Sequence, residues 1–199
     1  MILPHHGKWP KIHETAFVAP SADIIGEVAV DDQSSIWFQC VVRGDVNSIH
    51  IGKRTNIQDH CVLHVTRKET TLVIGDEVTV GHRALLHGCK IGNRVLVGMG
   101  AILMDHVEVG DECIVGAGAL LTRGMKVPPQ SLVLGAPAKV VRTLKPEEIQ
   151  FLSKSAAHYV GDAKEYRGFV RGPAKLGAAD EDLETLQDLG GDFAEGERE

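Results

Sequence analysis

The chain has 199 residues, 22 of them glycine, only 5% aromatic, with a formal net charge of −6. Residues 171–199 hold nine Asp/Glu against three Lys/Arg and the rest of the chain eighteen of each. The acidity therefore belongs to the tail, and no basic field points to nucleic acid. No apolar run is long enough for a signal peptide or a membrane span, and the four cysteines form no CxxC pair. A soluble cytoplasmic protein with reduced thiols and no membrane partner is the expectation.

Taken in chain order, the dominant signal is a repeat of six. Inward-facing aliphatics are assigned to Ile25, Val30, Ile36, Val42, Ile51, Ile57 and Leu63, then to Ile74, Val80, Leu86, Ile91, Val97, Leu103, Val109, Val115 and Leu121. A period of six predicts an all-β parallel β-helix over residues 12–142, three short strands making one triangular coil. The period slips in places. Ile25 to Val30 and Leu86 to Ile91 are five apart, and there are three extra residues between Val42 and Ile51 and five between Leu63 and Ile74. The last insertion contains RKET, read as a charged surface loop. Three hexapeptides per coil stack Ile25, Val42, Leu63, Leu86, Leu103 and Leu121 in one column. Cys40 and Cys61 fall two residues before members of that column, where small side chains are buried, and Cys89 and Cys113 take the same slot on the other faces. All four are expected to be buried small hydrophobes.

Beyond Leu121 the repeat ends in MKVPPQSLVLGAPAKVVR, in which SLVLG makes a last strand. Pro146 suits the first turn of a helix over residues 146–167, with an apolar stripe of Ile149, Leu152, Ala156, Tyr159 and Val160 that lies back against the coil. Residues 171–199, poor in large apolar groups, read as disordered.

The residues following the stacked aliphatics point outward and include Arg43, His64, His87, Met104 and Thr122. His64 and His87 lie one coil apart, and adjacent strands are ~4.8 Å apart, so both imidazoles can reach one ion. His82 follows Gly81 on the preceding face, where it stacks beneath Asp59, with Gln58 projecting toward the same space. A full strand, on the order of 15 Å, separates it from His87. Metal–nitrogen bonds are only ~2.0–2.1 Å, so one chain cannot bring the three together, whereas prisms packed about a threefold axis can. His5, His6, His13, His50, His60, His106 and His158 read as ordinary surface or hydrogen-bonded histidines.

VVRGDV at 41–46, TNIQDHCVLHV at 55–65, VTVGHRALLHGCKIG at 78–92 and VGMGAILMD at 97–105 together resemble the γ-class carbonic anhydrases. GAPAKVVR at 135–142 is shared more widely among hexapeptide-repeat proteins. The resemblance spans roughly residues 12–167. It implies a left-handed β-helix and a homotrimer with Zn2+, or Fe2+ or Co2+, held between subunits by His64, His82 and His87. It also implies reversible hydration of carbon dioxide to bicarbonate by metal-bound hydroxide. Three imidazoles leave an open coordination position, as catalytic zinc requires. Gln58 matches the family's glutamine that hydrogen-bonds the metal-bound solvent. Arg43 and Asp45 match its interface pair, and a salt bridge to that guanidinium is expected for Asp59 too. Arg43, Asp45 and Asp59 also suit assembly alone. Two departures concern proton transfer. Val46 stands where the archetypal enzymes carry a glutamate, and in VTRKETTL after His64 the only acid is Glu69. Other readings are acyl transfer, by a metal-dependent thioesterase or an acetyltransferase-like enzyme, and a non-catalytic metal-bound scaffold.

Overall fold

A computed structural model describes residues 1–171 of the chain; the acidic segment expected to be disordered lies outside the described residues, apart from Arg171. The expected parallel solenoid is present. An eight-stranded sheet forms one face of the prism, and seven of its strands run parallel from Phe17–Val18 to Ser131–Gly135. A twelve-stranded sheet folds around a corner to form the other two faces, because Asp23–Val30 and Val41–Ile51 continue from one face to the next. Most other strands are two or three residues long. Each turns one aliphatic inward and its neighbour outward, since successive side chains alternate across a strand. Val42, Leu63, Leu86, Leu103 and Leu121 are fully buried and in register from coil to coil, so the inner column follows from the period of six.

The column differs at its first member. Ile24, not Ile25, pairs with Val42 and is fully buried, whereas Ile25 faces outward beside Arg43. Ile24 and Val30 are six apart, so the apparent slip at that point disappears. Two adjacent isoleucines cannot be told apart by hydropathy, and the contacts of the neighbouring coil decide between them. All four cysteines are buried and unpaired, as expected. Burial pushes the Cys89 thiol up to about 12, which leaves it inert at neutral pH.

Tight corners need left-handed backbone, and several are occupied by residues other than glycine. Arg54 and Arg94 have φ of 54° and 52°, and His60 and Arg83 have φ of 61° and 60°. Side-chain pattern gave no hint of these conformations, because they are imposed by the coil closing in three turns.

Coil formation also begins before residue 12. Ile2–Leu3 pairs with Ile24 and Ile25, and the N-terminal ammonium lies 2.6 Å from Asp23 Oδ1. At the other end GAPAKVVR does more than break the repeat. Ala138–Thr143 folds back antiparallel on Ser131–Gly135 and closes the sheet edge.

The C-terminal helix runs Pro146–Arg171, four residues beyond the expected end. It lies on the eight-stranded face. Leu152, Ala156 and Ala163 are buried, while Tyr159 of the helix meets Trp37, which stacks edge-on with Phe17 beneath its second half. Arg167 secures the last turns by donating to the Thr15 and Glu14 carbonyls at 2.6 and 2.9 Å. Among the described residues, no helix is long and apolar enough to cross a membrane.

The helix start is fixed by Glu148. It receives both Arg142 guanidinium nitrogens at 2.7 Å and the Lys145 amide at 2.7 Å. The Arg142 hydrogen bonds, followed by that amide, hold the Glu148 carboxyl down to about 2. A depressed carboxyl contributes stability above its unfolded value near 4.3, and that contribution is lost as pH falls through 2. Protection of the first-turn amides, measured against their intrinsic exchange at each pH, should therefore fall between pH 4.5 and about 2 in the parent. In Glu148→Gln it should be low throughout; an identical profile in the two proteins would remove Glu148 as the anchor.

Candidate metal centre

His64 ends the strand Val62–His64 and His87 ends Leu85–His87, and the two residues pair directly across adjacent coils. His64 Nδ1 lies 3.1 Å from His87 Nε2. Two nitrogens bound at 2.0–2.1 Å to one tetrahedral ion would be about 3.3–3.4 Å apart, so this separation fits a shared ion. The other ring nitrogens strengthen the fit. His64 Nε2 lies 3.0 Å from Asp45 Oδ1, and His87 Nδ1 lies 3.0 Å from Asp105 Oδ1. Ionised carboxylates accept hydrogen bonds only, so each ring places its proton on the carboxylate side. Two lone pairs then converge, and a cation between them relieves their repulsion.

Both carboxyls are held below the ordinary range. Burial pushes Asp45 up, but hydrogen bonds from His64 and Arg43 outweigh it. Burial likewise pushes Asp105 up, and the combined hydrogen bonds of Thr70, His87 and Thr66 outweigh it. Both are consequently ionised where imidazole is neutral and able to bind metal.

His82 lies on the eight-stranded face, and its Nδ1 is 2.9 Å from Asp59 Oδ2. Asp59 also accepts a hydrogen bond from the Phe38 amide at 3.1 Å. Its partner within the chain is thus His82. Arg43 donates instead to Asp45, on the carboxylate oxygen not used by His64. The two carboxylates lie on different faces: Arg43 and Asp45 share the strand Val41–Ile51 beside His64, whereas Asp59 belongs to the column of His82. Among the described residues no three His, Cys, Asp or Glu side chains lie close enough to hold one ion. Within a single chain His64 and His87 are brought together, and His82 is not.

Gln58 was expected to point outward with His82. It lies on that outer side, since Ile57 is the inward residue, but is only 5% exposed, and the C-terminal helix packs on its strand. Its amide nitrogen donates to Asn56 Oδ1 at 3.2 Å; Asn56 donates to Thr79 Oγ1 at 3.0 Å, which meets Ser155 Oγ at 3.1 Å. This relay fixes the Gln58 amide against the helix.

Asp105 was missed as a site residue, although it closes the quoted stretch VGMGAILMD. Its only sequence signal is its position two after the stacked Leu103, which places it beside the residue following His87. Of the other histidines, His13, His50 and His106 do pair with carboxylates, Asp32, Asp31 and Glu69 respectively.

Residues 88–123 match the family model for the bacterial transferase hexapeptide (six repeats). The chain is 45% identical over 157 residues to Gamma carbonic anhydrase 1, mitochondrial, of Arabidopsis thaliana, covering 76% of this chain and 57% of that protein. The chain thus spans little more than half the length of that relative. It is 43% identical to a carbonic anhydrase of Geobacillus kaustophilus, covering 84% of this chain and 91% of the other. Among solved structures, a hexapeptide transferase family protein from Anaplasma phagocytophilum is similar with a TM-score of 0.80. It is 43% identical, with 83% of this chain and 97% of that one covered. At this identity over three quarters or more of its length, the chain belongs to the γ carbonic anhydrase family.

Proposed function

We propose that the protein is a metal-dependent, carbonic anhydrase-like enzyme acting on carbon dioxide and bicarbonate. In this reading it is a homotrimer in which His64 and His87 of one subunit face the partner subunit's His82 around Zn2+, with Fe2+ or Co2+ as ions that imidazole also suits. One observation carries it. Each of the three histidines has one ring nitrogen tied to a carboxylate (Asp45, Asp59 or Asp105), leaving the other nitrogen as a donor. That pairing recurs at metal-binding histidines, where it fixes the tautomer and raises ligand basicity. A bound ion of this kind supplies Lewis acidity that makes water a nucleophile near neutral pH.

The solenoid surface beside the histidines supports the trimer. Val41, Val62, Leu85, Ile102 and Leu120 form an outward apolar ladder in register, and Val62 and Ile102 are 41% and 37% exposed. Met99 and Met104, either side of Ile102 in the chain, are also exposed. Such a contiguous apolar strip favours burial against another copy. An acetyltransferase would need a histidine base with a free nitrogen, and in this reading the free nitrogens of all three histidines are taken by the ion. Metal-dependent thioester cleavage uses the same donors, so the decisive experiment compares purified, metal-analysed protein in carbon dioxide hydration and thioester cleavage. Full metal with no hydration would sink the carbonic anhydrase reading.

Gln58 separates a catalytic centre from a metal clamp. Its nitrogen is committed to Asn56, so its carbonyl oxygen is presented in a fixed direction for hydrogen bonding. Gln58→Ala should leave assembly and metal content unchanged and lower turnover by about 10–100-fold, the usual cost of losing an outer partner. Unchanged turnover in an active parent would assign Gln58 to packing alone.

A further inference from the structure

Three successive coils treat one corner differently, and the differences meet at a single carboxylate. After Leu63 the chain inserts five residues before Ile74 restores the period, after Leu86 it is one residue short before Ile91, and after Leu103 it is regular to Val109. Asp105, on the regular coil, reaches back across the other two. Its Oδ1 lies 3.1 Å from Thr66 Oγ1, 2.9 Å from Thr70 Oγ1 and 3.0 Å from His87 Nδ1.

The shortened corner makes the space. Gly88, at φ +56°, directly follows His87, and a Cβ there would lie 2.1 Å from Thr70 Oγ1 and 2.2 Å from Asp105 Oδ1. Only glycine leaves room for both groups while also accepting left-handed backbone. The inserted loop is closed on itself. The Thr66 amide donates to Thr70 Oγ1 at 3.1 Å, and the Thr70 amide to the Thr66 carbonyl at 3.3 Å. Because Thr70 Oγ1 already accepts that amide, its proton is directed to Asp105. On the outer side, Glu69 ties the loop to His106 Nε2 at 2.9 Å and to Arg123.

We propose that the loop 66–70 is a positioning device for His87, in which Thr66 and Thr70 fix Asp105, and Asp105 holds the imidazole with Nδ1 protonated and Nε2 free as a donor. The positioning itself stands on geometry; only the identification of what Nε2 binds rests on the metal reading above. Thr66, Thr70, Asp105 and Gly88 are positioning residues, since none touches the ion's place directly. The insertion, charged and surface-exposed by sequence, thus shapes the histidine one coil away.

Asp105→Asn should show the effect most sharply, because an amide can donate to Nδ1 and so favour the opposite tautomer. In metal-free protein, 15N NMR of the ring should show His87 moving from Nδ1–H to Nε2–H. The zinc dissociation constant, measured by chelator competition, should rise about 10–100-fold. Thr66→Val/Thr70→Val should raise it about 10-fold, and Thr66→Ser/Thr70→Ser, which keeps both hydroxyls, should restore the parent value. An unmoved His87 tautomer with zinc affinity within about twofold of the parent, or equal losses in the Val and Ser pairs, overturns the proposal. A tautomer shift in a parent that takes up no zinc supports the positioning and overturns the metal reading instead.

Discussion

Mixing His82→Ala chains with His64→Ala chains, dissociating them and letting them reassemble should restore metal sites that neither variant forms alone. Each variant by itself should lose most of its metal, as should His87→Ala, because every site then lacks one of its three imidazoles. In a cyclic trimer the two halves of each interface come from different patches on different chains. A His82→Ala chain still offers His64 and His87, and a His64→Ala chain still offers His82. Random reassembly of equal amounts then makes about one site in four complete. The measurement is bound metal per chain after gel filtration, compared with the unmixed variants treated identically. Recovery near a quarter of the parent supports ligands shared between subunits. No recovery, or a parent that sediments as a monomer with full metal, refutes sharing.

Leu86→Ala should cost about 2–5 kcal/mol, the range for deleting a leucine side chain from a close-packed interior. Leu86 is fully buried, stacked between Leu63 and Leu103 with the inner column above and below. The void cannot collapse easily, because backbone hydrogen bonds fix the coil spacing; Leu85 donates to the Ala101 carbonyl at 2.9 Å, and Gly88 to the His64 carbonyl at 3.0 Å. Native domains have only about 5–15 kcal/mol in total, so the loss is a large fraction. It falls on the coil that carries His87, and coils contact only their neighbours, so metal affinity should fall along with stability. Equilibrium denaturation should show a lower midpoint at unchanged slope. Lys90→Ala, exposed on the next strand, should stay within about 0.5 kcal/mol of the parent. Equal midpoints for Leu86→Ala and Lys90→Ala would contradict the packing account.

The architecture was legible in the sequence because it is periodic. A solenoid repeats one local rule, an aliphatic inward every sixth residue, and that rule needs no knowledge of distant contacts. It also placed His64 over His87, since residues an integral number of coils apart share a face. The helix after Pro146 followed in the same way from its own apolar spacing. Where two neighbours had equal hydropathy, as at Ile24 and Ile25, the period alone did not choose, and pairing with Val42 did. The carboxylates were a different matter. Asp45, Asp59 and Asp105 each find a histidine through side-chain reach across coils, and Asp105 gains its two threonines from an insertion that breaks the period. Gln58 faces outward yet is covered, on the face where a helix arrives from nearly a hundred residues later. Sequence by itself therefore determined the coil and which imidazoles stack, because those depend on spacing along the chain. Only the tertiary structure decided which nitrogen each imidazole offers, because that depends on hydrogen bonds from residues that share no repeat with it.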